Sequence, residues 1–135
     1  MDTRYIDAEH KLALTLDWTE TNYSGPAANA TARAQGRAPG GGSRGDVPAW
    51  ARSNDACVKL MLAHGCFVAK EATSSGADVM VARWKNLDGF AERIAVPTSE
   101  HTNEASAFRY AAVLGVTSKV EEESRARELR SMVNA

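Results

Sequence analysis

"CFVAKEATSSGADVMVARW", residues 66–84, sets two runs rich in Val, Phe and Trp around a short polar stretch. Branched and flat side chains suit a pleated surface, and Thr73-Ser74-Ser75-Gly76 supplies turn chemistry, so the stretch predicts a β-hairpin. In the second run Val79, Val81 and Arg83 alternate with Met80, Ala82 and Trp84, leaving both faces partly apolar. A sheet of that kind needs helices on at least one face. "FAERIAV", residues 90–96, is a third strand closed off by Pro97. Consecutive strands with short links pair most simply as an antiparallel meander.

Helical patterns flank the meander. "SNDACVKLMLAHG" (53–65) opens on Ser53 as N-cap, has Asp55 in its first turn and stops at Gly65. Cys57, Leu60, Met61 and His64 share one side, and Val58 and Leu62 add a second apolar stripe. Burial on more than one side is expected. "RYIDAEHKLALTLDW" (4–18) lines up Tyr5, Ala8, Leu12 and Leu16 on a helical face. After the strands, "PTSEHTNEASAFRYAAVLG" (97–115) predicts a helix from about residue 99 to 114, ended by Gly115. In "SKVEEESRARELRSMVNA" (118–135), Ser118 and Glu121 have capping-box spacing and acids precede bases. Its apolar residues are sparse (Val120, Leu129, Met132, Val133), as in a charged surface arm or a partner-dependent helix or tail.

The fold expected is therefore α+β: a three-stranded antiparallel meander packed with helices, an α/β/α-like sandwich, in one domain spanning 1–135. Between Thr19 and Asp46 the residues are mostly small, with many glycines and prolines. That composition predicts a long flexible Gly-rich loop, mobile or functional. It holds no phosphate-binding G-x-x-x-x-G-K-[ST] pattern.

Sixteen basic residues against seventeen acidic give a net charge of −1, which disfavours nucleic-acid binding driven by clustered cations. No apolar run reaches membrane-spanning length, so no membrane partner is expected. "MDTRYIDAEHK" has no apolar stretch of the signal-peptide kind, and a cytoplasmic location follows as the expectation. Cys57 and Cys66 then read as reduced thiols. With His64 and His101 they match no zinc spacing, so neither metal nor cofactor is expected.

Two sets of residues carry candidate chemistry. His101 and Glu104 fall on the helical side that carries Phe108 and Ala112, at the rim of the core, where a general acid/base pair could work. Trp50, Trp84 and Phe90 are aromatics able to line a binding groove, and His64 and Arg109 are further binding candidates.

"VPAWARSNDACVKLMLAHG" (47–65), the hairpin after it and "ASAFRYAAVLGVTSKVEEE" (105–123) together resemble the small phage and prophage proteins of the phage ABA-sandwich family. An N-terminal helix closing on Trp18 completes the likeness, which covers residues 5–18 and 47–123. The chain departs from the family pattern in its Gly-rich insertion and in Trp50-Ala51-Arg52. The resemblance implies an accessory protein in a host bacterium. Such a protein would be non-enzymatic and bind a host or phage protein or a small molecule, as in counter-defence; a homo-oligomer is a further expectation. "NEASAFRYAAV" (103–113) is also similar to the closing helix of large terminase nuclease domains, with Ser106 where those place a metal-binding aspartate. Independently of that likeness, the alternative function is a small hydrolase or nuclease using His101 and Glu104.

Overall fold

The computed structural model describes residues 3–24 and 33–133. Along the chain run α1 (Arg4–Thr15), β1 (Thr19–Ser24), β2 (Arg33–Arg37), β3 (Arg44–Asp46), α2 (Asn54–His64), β4 (Phe67–Ala72), β5 (Asp78–Lys85), β6 (Ala91–Pro97), a 3-10 turn (Thr98–Glu100) and α3 (Glu104–Val133). The class is α+β, with two three-stranded antiparallel sheets, β1-β2-β3 and β4-β5-β6. The second sheet is the meander expected from residues 66–97. Its register sets Val68 beside Ala82 and Ile94, and Lys70 beside Met80 and Val96. Met80, Ala82, Trp84 and Val96 join the core on the side facing α3, while Phe67, Arg83 and Arg93 on the other face are exposed.

Where the sequence predicts a helix stopped at Gly115 and a separate segment from Ser118, there is one helix of 30 residues. Gly115 is not a cap. A Cβ there would stand 2.8 Å from both Ala82 Cβ and Cys66 Sγ, so the missing side chain lets α3 lie close on β5. Ala107, Ala111, Ala112, Val113, Val116 and Thr117 are buried around the helix, which makes the first half of α3 the centre of the fold. Buried Thr117 satisfies its hydroxyl by donating to the Val113 carbonyl at 2.7 Å. Ser118 sits mid-helix and has no capping role. The start also moves: His101 is extended (φ −124°, ψ 158°), and Asn103 caps α3 by accepting the Ser106 N–H at 2.8 Å.

The stretch expected to be one loop, 19–46, contains β1, β2 and β3; residues 25–32 of it lie outside the described residues. Pairing here is held by side chains rather than by a buried apolar face, which explains why hydropathy did not reveal it. Arg37 pairs with Glu20, Arg44 donates to Asn22 Oδ1 at 2.6 Å, and Gln35 donates to Asp46 Oδ1 at 3.0 Å. Gly36 allows β2 to press against β1, since a Cβ would stand 2.9 Å from the Thr19 carbonyl oxygen. Ala34 and Val47 connect this sheet to the core.

The connector between β3 and α2 is clamped by polar side chains from both neighbouring helices. Glu9, 1% exposed, accepts the Ala51 N–H at 2.9 Å and pairs with Arg52 at 2.7 Å. Arg109 of α3 donates to the Ala51 carbonyl at 3.2 Å and to Asn54 Oδ1 at 2.8 Å. Both peptide groups of this buried residue are thus satisfied across the fold, as burial requires. α2 follows the predicted caps: Ser53 Oγ accepts from Ala56 N, and Gly65 is left-handed at φ 63°. Its packing is one-sided, however. Cys57, Leu60 and Met61 are buried, whereas Val58 and Leu62 are exposed, because α3 and Val68 of β4 cover only one side of this helix.

Candidate functional site

At the end of the meander where α2 stops, the chain enters β4 and β5 runs out, there is a groove of about 480 Å³. Trp84 forms its inner wall, with Phe67, Ala91 and Gly65 as further apolar lining and His64, Arg83, Lys85 and Lys119 as its polar groups. The volume falls in the range of roughly 300–1,000 Å³ common for small-molecule sites. Three sequence elements make the place. Gly65 turns the chain from α2 into β4, the hairpin register sets Phe67 opposite Arg83, and Lys119 lies one turn beyond Gly115 on the sheet-facing side of α3.

Trp84 is 5% exposed, and its benzo edge points at α3: Cζ3 lies 3.5 Å from where a Gly115 Cβ would be. The indole Nε1, on the opposite edge of the ring, is buried and has no hydrogen-bond acceptor among the described residues. A buried donor in that condition costs about 1–3 kcal/mol relative to a paired one. An acceptor brought by a ligand would offset it.

The charges around the groove are not equivalent. Arg83 is paired with Glu71, and Lys119 with Glu123 four residues on. Lys85 is exposed and has no ion pair among the described residues, leaving it the available cation. The His64 pKa is lowered, first by burial and then by the Lys119 charge, with Glu123 opposing, so the imidazole is neutral at ordinary pH. Cys66, between Gly65 and Phe67 in sequence, is fully buried, and burial pushes its thiol up to about 11. It is therefore a protonated packing group and not a nucleophile. An apolar wall, one buried donor and one unpaired cation can hold a ligand.

Of the residues singled out from sequence, the groove brings together Trp84 and His64. Trp50 is buried in the core, and Arg109 is engaged in the clamp on the connector. His101 and Glu104 take different partners. His101 Nδ1 meets the Tyr5 hydroxyl at 2.7 Å, and its ring packs against those of Tyr5 and Tyr110. Glu104 accepts from Lys70 at 3.0 Å on the rim. Phe67, Lys85, Ala91 and Lys119 were not anticipated; the hairpin register was the signal that could have set Phe67 beside Arg83 at this end of the sheet. Among the described residues no group of three His, Cys, Asp or Glu side chains could hold a metal ion. No described helix is long and apolar enough to cross a membrane. No protein-family model matches the chain, and neither a curated protein nor a solved structure matches it.

Proposed function

We propose that this chain acts by binding, without chemistry of its own, and that its ligand is a small apolar molecule carrying an anionic acceptor. Two observations carry this reading: Trp84 lines an apolar groove, and its buried indole N–H has no acceptor among the described residues. An acceptor oxygen on the ligand would complete that donor, its apolar body would cover Phe67 and Ala91, and Lys85 would favour a negative charge at the mouth. The phage or prophage setting rests on the resemblance of residues 47–65 and 105–123, and a role in counter-defence rests on that setting. A hydrolytic role for His101 and Glu104 has less support, because each is committed to a partner on a different element.

Octanoate, an apolar carboxylate, is a direct probe. Binding followed by titration calorimetry should weaken about tenfold, or 1.4 kcal/mol, on Lys85→Glu. It should also weaken on Trp84→Phe, which keeps a ring but removes the donor, and fail on Ala91→Arg, which fills the groove. Octylammonium should bind less well than octanoate. If octanoate does not bind, or binds equally well to all three variants, the groove is not the site.

A further inference from the structure

The sheet-facing stripe of α3 does not stop where the sheet does. Counting about 3.6 residues per turn from Gly115, Lys119, Glu122, Ala126, Leu129 and Val133 stay within about 40° of one face. The β5–β6 turn ends the sheet beside Lys119, Glu122 and Ala126. Beyond Ala126 the helix continues to Val133, an overhang of roughly 10 Å at about 1.5 Å per residue. On it Met132 is 74% exposed and Val133 82%, with Leu129 also exposed. Leu87, which lines the notch, and Phe90, at the end of the same turn, are exposed as well.

Charge is arranged with the same asymmetry. The groove between the turn and α3, about 240 Å³, is lined by four carboxylates (Asp88, Glu92, Glu122, Glu123) and a single cation, Lys119. The overhang carries Arg127 and Arg130. Arg127 lies 3.7 Å from Glu123 of its own helix, while Arg130, beside the apolar stripe, has no ion pair among the described residues. We infer that the occupant of this notch is a second copy of the chain. The two α3 overhangs lie antiparallel about a two-fold axis, Leu129, Met132 and Val133 of each copy cover Leu87 and Phe90 of the other, and Arg130 enters the other's acidic groove. A two-fold pairing is self-complementary, so one apolar notch and one acid–base match serve both halves. The α3 overhang then has a role as a dimerisation arm.

Sedimentation equilibrium of the full chain tests this. The expected mass is that of one 14.5 kDa chain at high dilution and twice that in concentrated samples. Leu129→Glu with Val133→Glu, at exposed positions, should give single-chain mass throughout with an unchanged circular dichroism spectrum. A charge-swap pair gives a second, independent reading. Arg130→Glu (all-acidic contacts) and Asp88→Lys with Glu122→Lys (all-basic contacts) should each be single chains alone and form a mixed dimer on combination. A single-chain mass for the parent at every concentration overturns the inference, as does a dimer that survives L129E/V133E or a mixture of the swapped variants that stays apart.

Discussion

Gly115 carries two opposed expectations that energies can separate. In an exposed helix interior, replacing glycine by alanine gains about 1 kcal/mol of helix propensity. Here the new Cβ would meet Ala82 Cβ and Cys66 Sγ at 2.8 Å, and overpacking a tight core costs about 1–3 kcal/mol. Gly115→Ala is therefore expected to lower stability in urea unfolding, and Ala82→Gly in the same chain to recover part of the loss. Glu9 is the second residue whose environment decides its role. A charged residue of α1, it receives the Ala51 N–H and the Arg52 guanidinium inside the fold. Removing one member of such a buried pair strands the other, so Glu9→Ala should cost about 3 kcal/mol, measured by the same unfolding curve. Cys57 and Cys66, both buried with thiols pushed up to about 11, should react with a maleimide only as fast as the protein unfolds.

The meander was legible because each of its strands carries a dense β-forming run and each connection is short. Caps decided α2 from sequence, since Ser53 and Gly65 behave as their types predict. The end of α3 was misread because glycine as a stop and glycine as a contact point look alike without the strand that approaches it, and its start because Asn103, not a residue near 99, supplies the cap. Likewise β1–β3 lack an apolar face, and their pairing depends on long-range side-chain bonds that a local pattern does not contain. A continuous α3 makes a specific prediction for amide exchange. Protection should be greatest over residues 107–117, pass without a break through Gly115 to Ser118, and decline along the exposed overhang. A gap in protection at 115–118 would instead mark two separate helices.

At the scale of the whole molecule, α3 organises everything else, touching α1, α2 and all three strands of the meander. The groove lies where its sheet-facing side, the end of α2 and the ends of the strands meet, which is why only two of its eight lining residues could be named beforehand: Trp84 and His64 stand out by type, but convergence is a property of the packing. His64 gives this end of the molecule a pH signature. Its pKa is lowered on folding, chiefly by burial, so the unfolded chain binds the proton more readily. Stability is full above the ordinary histidine value of about 6.5 and falls as pH drops through it toward the folded value. The decline in unfolding midpoint from about pH 7.5 to about pH 5.5 should be smaller in His64→Gln. The central claim, that Trp84 presents an unaccepted donor to a ligand, is tested most directly by the indole N–H signals of the ¹⁵N-labelled chain, whose three tryptophans are assigned through Trp84→Phe. On titration with octanoate the Trp84 signal should move downfield as its N–H gains an acceptor, while those of Trp18 and Trp50 hold still. A Trp84 signal that stays in place through saturating octanoate would contradict the account.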